Sequence, residues 1–538
     1  MTQLFNACEY LLDRRLAAGD GPRAALTGVA GELSYAELHD QVCRTAAGLR
    51  ELGLQPEQRL LMLMADSPQF VTMYLAAMRM GAIPVPVSTM LLADGVADLL
   101  ADSRARFLAV TPEFAATAAA AAASAPELAG ILAGGPVVDN PVVDNPVVDN
   151  PVVDNPVPDS PVPVHAIGAL AAGPADETVY PTTADSPAFW LYTSGTTGRA
   201  KAAMHRHGAI PVVCETYGQQ VLGIRRRDRC VSAAKAFFAY GLGNSVLFPF
   251  SVGAAAVLEP ARSTPDVIAD AAQKHGASLF FAGPTFFANM LRAGLPGDAL
   301  RGVRLAASAG EALPASLYQR WTGHFGVDIL DGIGMTEMLH IFLSNRPGEV
   351  RPGTTGVAVP GYELKLLDEA GQPSPMGTPG TLYVRGDSAA TGYWSRYDAS
   401  RQVFQGEWLR TGDTYLRDPD GYYVCLGRTS DMLKVSGMWV SPAEVEARLL
   451  AHPAVAQAVV VSASDRDGLE KPVAYVITEK DQAVAEDELI EFCRAGLPSF
   501  ERPRKVLFVG GYPVTATGKI RRVELRQMAA DVLTGEEG

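Results

Sequence analysis

The chain has 538 residues, too many for one ordinary hydrophobic core, so two or more domains are expected. Hydrophobic residues make up 48% and charged residues 19%, the balance of a soluble globular enzyme. A formal net charge of -14 argues against a nucleic-acid partner, and any site for a polyanion must be locally basic.

Six cysteines (Cys8, Cys43, Cys214, Cys230, Cys425, Cys493) are scattered without a CxxC pair. That is neither a zinc pattern nor a disulfide framework, and reduced thiols in a cytoplasmic protein are expected. The first residues lack a basic start and meet Glu9 and Asp13 early, so no signal peptide is read there. No uninterrupted apolar run reaches spanning length, so no membrane partner is expected.

Between residues 25 and 87, short apolar strands alternate with helical patterns. Ser34 and Glu37, three apart, form a capping box that predicts a helix through about residue 52. Residues 59–64 read as a buried strand, 67–80 as a helix stopped by Gly81, and 82–87 as the next strand. That rhythm implies a parallel α/β layer. Residues 136–155 are Pro-Val-Val-Asp-Asn four times over, with a degenerate copy running to Ser160. A proline every fifth residue forbids helix and central strand, so 136–160 reads as an extended, mobile surface insertion.

Phe189-Trp190-Leu191-Tyr192 reads as a buried strand end entering Thr193-Ser194-Gly195-Thr196-Thr197-Gly198, with Lys201 three residues later. Glycines let backbone N–H groups approach phosphate oxygens, hydroxyls add neutral donors, and Lys201 adds a mobile charge. It is not a Walker A loop, because Ala200 precedes Lys201 and Ala202 follows it. His205 and His207 fall on what reads as a helix start, without a third ligand for a metal.

Residues 266–275 read as a helix, and 278–282 and 303–307 as strands, the last leading into Ser308-Ala309-Gly310-Glu311. Leu330 to Met338 reads as a strand running into a glycine-punctuated turn that presents the Thr336 hydroxyl and the Glu337 carboxylate. No third glycine completes a dinucleotide fingerprint. From about 353 to 413, Gly and Pro recur between short apolar runs, a β-rich segment that closes at Thr411-Gly412-Asp413. Residues 427–431 are a polar break and the candidate hinge. Beyond it lies a small α+β unit, with strands near 455–461 and 473–477 and a helix over 487–495.

In this order, from about Trp190 to Lys519, the stretches resemble the signatures of the acyl-adenylate-forming superfamily: acyl-CoA synthetases, adenylation domains of peptide synthetases and beetle luciferases. The aryl-binding stretches look closest to benzoate–CoA ligases. The resemblance implies an α/β fold. A large N-terminal domain (1–427) would combine α/β layers with a barrel-like subdomain. A hinge (428–432) would lead to a small mobile α+β C-terminal domain (433–538). It implies ATP, Mg²⁺ and coenzyme A, with a small aromatic carboxylic acid as acyl substrate.

Residue roles follow from the same resemblance. Thr193, Ser194, Gly195, Thr196, Thr197, Gly198 and Lys201 would hold the phosphates, and Gly310, Glu311, Asp331 and Gly332 would line the ATP/AMP site. Thr336 would contact phosphate and Glu337 would bind magnesium. Asp413 would accept the ribose hydroxyls, and Arg428 would reinforce ribose or phosphate contacts. Lys519 would bridge the carboxylate and the α-phosphate, where like charges must meet. Ala239, Tyr240, Gly241, Ala309, Ile333, His340 and Ile341 would form the acyl pocket. Small Ala239, Gly241 and Gly332 would leave room for a flat ring, and His340 is either a wall of the pocket or a structural histidine. Ser436, Gly437 and Met438 would line the pantetheine channel.

The family usually has Asp or Lys at the pivot, whereas this chain has Ser430 followed by Asp431, and the pivot stays open between them. The basic run Arg225-Arg226-Arg227-Asp228-Arg229 is either a solvated loop or a landing site for CoA phosphates. The function implied is ATP-dependent aryl–CoA ligation through an acyl-AMP. Two rivals stay open: loading of a carrier-protein thiol, and a nucleotide-binding scaffold without turnover. Lys201 and Lys519 together argue against the second. A homodimer is compatible with the sequence.

Overall fold

The computed structural model describes residues 3–135, 157, 159–194, 200–429, 431–435, 438–464, 470–480, 482–499, 501–514 and 520–534. The Pro-Val-Val-Asp-Asn array therefore lies outside the described residues. It falls between the neighbouring parallel strands Gly130–Ala133 and Val164–Ala166.

Five parallel strands form the first layer, in the order Ile83–Pro86, Arg59–Leu63, Phe107–Val110, Gly130–Ala133, Val164–Ala166. The residues of the first four are almost all buried, as expected of parallel strands covered on both faces, whereas the edge strand Val164–Ala166 is partly exposed. The covering helices start where side-chain chemistry dictates. Ser34 caps Tyr35–Glu51 in the expected capping box with Glu37. Ser67, Thr264 and Ser441 cap Pro68–Arg79, Pro265–Lys274 and Pro442–Leu450, each with proline at the first turn. Gly81, at φ +80°, follows the second of these helices.

A second sheet of nine strands carries the site. Its central strands run parallel: Ala24–Gly28, Ala255–Leu258, Arg229–Ser232, Leu279–Ala282, Leu305–Ser308 and Ile329–Gly334. Ile341–Ser344 and Val357–Ala358 extend it antiparallel. Gly332 and Gly334 thus lie inside a strand, with a bulge between Ile333 and Gly334, rather than in the expected turn. The turn comes later, over Met335–His340, around a single 3₁₀ turn at Thr336–Met338.

The β-rich segment is a five-stranded antiparallel sheet including Glu363–Leu367, Gly380–Arg385, Trp408–Arg417 and Tyr423–Arg428. One short helix, Tyr397–Val403, interrupts it. Thr411, Gly412 and Asp413 sit within the Trp408–Arg417 strand, with Gly412 at φ +78°. The C-terminal unit has a three-stranded sheet, Val455–Ser464, Glu470–Thr478 and Lys505–Phe508, and a small hairpin of Leu433–Val435 and Met438–Val440, with helices Pro442–Leu450, Glu486–Arg494 and Arg522–Thr534. It encloses a core of its own around Leu433, Val445, Val460, Val476 and Leu489.

Candidate active site

In open α/β sheets, ligands gather outside the carboxyl ends of parallel strands. Three such ends lie along one edge of this sheet. Leu305–Ser308 delivers Ala309, Gly310 and Glu311, Ile329–Gly334 delivers Met335, Thr336 and Glu337, and Arg229–Ser232 leads into the 234–244 segment.

The Ser/Thr/Gly loop closes an antiparallel hairpin of Pro187–Ser194 and Ala200–Arg206, in which Thr193 faces Lys201. Gly195 to Arg199 are outside the described residues, as are the Ser194 side chain, Ser430, Ser436, Gly437, Lys519 and the Met438 side chain. His205 lies on the second hairpin strand, not on a helix, and His207 follows in the turn. Alternation along an Ala-rich segment there serves a strand, because the hairpin partner supplies the hydrogen bonds that local propensity does not.

This hairpin is pinned to the Thr336 turn. Buried His205 stacks on Phe189 at 4.9 Å, and its Nε2 lies 2.9 Å from the Thr336 carbonyl. Burial pushes the imidazole down to about 4, so it is neutral at pH 7, and Nε2–H donates to that carbonyl. Tyr393 ties the other end: its hydroxyl donates to Glu337 Oε1, and its ring lies 5.5 Å below Lys201 Nζ. Ala390 N–H donates to the Glu337 carbonyl at 2.8 Å, and Thr391 and Trp394 N–H groups donate to Met204 and Ala202. Leu339 within the turn adopts φ +66°, an uncommon conformation for a bulky residue. Neither Tyr393 nor the role of His205 was visible in the sequence, since each partner is far along the chain.

Asp413 and Arg428 pair across neighbouring strands, Oδ1 to Nε at 3.0 Å, and Asp413 raises the guanidinium further. Asp331 is buried beside Ser308 in the strand register, and its Oδ1 has no hydrogen-bond partner among the described residues. Burial pushes its carboxyl up to about 8.

Of the expected acyl-pocket residues, Tyr240 and His340 meet. Tyr240 donates its hydroxyl to the Ala307 carbonyl at 2.8 Å. His340 is buried among the rings of Tyr217, Tyr240 and Phe248, at 5.4, 5.4 and 4.5 Å. Its Nε2 faces the Tyr240 carbonyl at 3.3 Å, and burial pushes it down to about 3, so it is neutral and packed among these rings. Gly241 is small for a different reason than ring room: a Cβ there would stand 2.0 Å from the Lys235 carbonyl oxygen. At Gly332 a Cβ would meet Ile341 Cγ2 at 2.9 Å.

The basic run is largely structural. Asp228 is buried and paired with Arg304 at 2.8 Å, Arg226 pairs with buried Asp20, and Arg229 lies 3.5 Å from Glu32.

A pinned hydroxyl-and-glycine hairpin over a carboxylate turn, at the carboxyl edge of a parallel sheet with a separate small domain beyond, is the framework of an adenylate-forming enzyme. Residues 14–394 match the AMP-binding enzyme family, residues 444–519 match the AMP-binding enzyme C-terminal domain, and the chain belongs to that family. It is 40% identical to the benzoate–CoA ligase of Thauera aromatica over 529 residues, 97% of this chain and 96% of that one. Among solved structures it resembles a benzoate CoA ligase from Burkholderia xenovorans LB400, with 39% identity, TM-score 0.86, and 97% and 100% of the two chains covered. It also resembles the anthranilate CoA ligase AuaEII in complex with anthranoyl-AMP, with 34% identity, TM-score 0.89, and 99% and 98% covered.

Proposed function

We propose that this protein is an ATP-dependent aryl–CoA ligase that activates benzoate or a substituted benzoate. The carboxylate attacks the α-phosphorus of ATP to give an acyl-AMP and pyrophosphate. The CoA thiol then displaces AMP to give the thioester. The observation that carries the reading is the Lys201–Tyr393–Glu337 cluster, held against the hairpin by His205 at the strand ends.

In this reading Lys201 and the 193–198 loop take the phosphates, Thr336 contacts the α-phosphate, and Asp413 with Arg428 holds the ribose. Asp331 and Gly332 lie against the adenine, with Gly310 and Glu311. His340, Tyr240, Ile333, Ile341, Ala239, Gly241 and Ala309 surround the aromatic ring, which binds by burial and ring contact. Lys519 comes from the small domain, through the hinge at 428–432, to cancel repulsion where charge develops. Ser436, Gly437 and Met438 serve the CoA arm in the second half-reaction.

Glu337 fits magnesium as a single hard ligand. Its carboxylate is steadied by Tyr393, and among the described residues no group of three or more acids, histidines or cysteines could cage a metal. Phosphates and waters would complete the shell, and the ion would supply charge neutralisation there. Among the described residues no helix is long and apolar enough to cross a membrane. We place the enzyme in the cytoplasm, acting on small molecules.

The test is a pyrophosphate and thioester assay with benzoate and its hydroxy, amino and halo derivatives. Pyrophosphate release that depends on the aromatic acid is expected, with thioester formed from free CoA. Lys519→Ala should abolish adenylation and spare thioester formation from supplied acyl-AMP. Adenylate without thioester would move the reading to a carrier-protein thiol.

A further inference from the structure

The hinge is held differently on its two sides. Upstream, Arg428 pairs with Asp413, and its Nη1 donates to the Thr411 carbonyl at 3.2 Å. Thr429 N–H donates to the Gly412 carbonyl at 2.9 Å, and its hydroxyl lies 3.2 Å from that of Thr414. All these partners belong to the Trp408–Arg417 strand of the large domain.

Downstream, Asp431 faces the small domain. Its Oδ1 accepts from Arg526 Nη2, and its Oδ2 lies 3.9 Å from Arg522 Nε. Both arginines belong to the helix Arg522–Thr534, which begins three residues after Lys519. Arg522 also donates to Glu446 Oε1 at 2.9 Å and to the Val460 carbonyl at 2.7 Å, and the same Glu446 oxygen accepts from Val460 N–H at 2.8 Å. One partly buried network thus joins the hinge, the Pro442–Leu450 helix, the Val455–Ser464 strand and the terminal helix.

We infer that Asp431, with Arg522 and Arg526, is a positioning clamp for the adenylation half-reaction. The inference rests on the reading of Lys519 given above. Asp431 travels with the small domain, and its carboxylate neutralises two guanidinium groups that would otherwise repel one another at the root of the terminal helix. Holding that root fixes the anchor of the chain leading back to Lys519. The Leu433–Val435 and Met438–Val440 hairpin, which carries the 436–438 loop, packs instead against Glu470–Thr478. Losing the clamp should therefore cost adenylation, through Lys519, more than it costs thioester formation.

The test measures the two half-reactions separately in Asp431→Asn, Arg526→Met and Arg526→Lys. For Asp431→Asn and Arg526→Met, the kcat of benzoate-dependent pyrophosphate release falls roughly 10- to 100-fold, the scale of a misplacement near 1 Å. The KM values for benzoate and ATP, and thioester formation from supplied benzoyl-AMP and CoA, change less than about 3-fold. Arg526→Lys keeps most of the activity. Equal losses in both half-reactions, or full activity in Asp431→Asn, overturn the clamp. Wild-type protein that releases no pyrophosphate with any aromatic acid overturns the ligase reading and the clamp with it.

Discussion

Asp331 is a buried carboxyl whose Oδ1 no neighbour among the described residues satisfies. Because its folded value, about 8, lies above that of a free aspartic acid, the folded state keeps a proton that the unfolded chain has lost. Its contribution to stability is fully present below the free value, declines as pH rises, and is gone above about 8. Between pH 6 and 8 this group alone should cost roughly 1 kcal/mol per pH unit, easing as pH nears 8. Asp331→Asn should flatten the slope by that amount, read from denaturant midpoints across the window. His39, raised to about 9 chiefly by its hydrogen bond to Asp13, slopes the same way and should remain. The sequence placed Asp331 in the nucleotide site by resemblance, but its protonation depends on burial, which no local pattern encodes. The Gly241 contact with the Lys235 carbonyl is equally invisible to a reading by residue size.

At the scale of elements, the hairpin that carries the phosphate loop depends on a contact from strand to turn. His205→Leu would remove one of the two hydrogen bonds that the half-buried Thr336 carbonyl accepts, leaving that from Leu339 N–H, at a cost of about 0.5–1.5 kcal/mol. Urea midpoints should show that loss, and adenylation should fall further than stability. His205→Gln, which keeps an N–H donor, should recover much of both. Equal behaviour of the two variants would mean that the ring's bulk matters and its hydrogen bond does not.

Much at this scale was legible. The capping box at Ser34, the helix read over 67–80 and found at Pro68–Arg79, the Gly81 stop and the strand read at 278–282 and found at Leu279–Ala282 all follow from local chemistry. The failures share a cause. The hairpin strand Ala200–Arg206 is rich in alanine, and its pairing with Pro187–Ser194 overrides what the segment would prefer alone. Likewise, Gly332 and Gly334 look like a turn, yet pairing with Ile341–Ser344 makes them strand.

For the whole molecule, two bodies with separate cores should melt separately. Calorimetry should show two transitions, the smaller belonging to the C-terminal unit. Across the cleft, Arg320 Nη1 meets Glu479 Oε1 at 2.9 Å, a largely exposed pair. Arg320→Gln should shift the smaller transition only slightly, consistent with about 0.5 kcal/mol for such a pair.

Beside that pair, a cavity of about 370 Å³ opens between Arg292, Arg320 and His324 of the large domain and Ala456 and Glu479 of the small one. Two lobes that meet around a hollow rimmed with charge share little oily contact there. Turning one past the other would expose little grease at that seam, so the swing should cost more in twisting the linking backbone than in prying the lobes apart there.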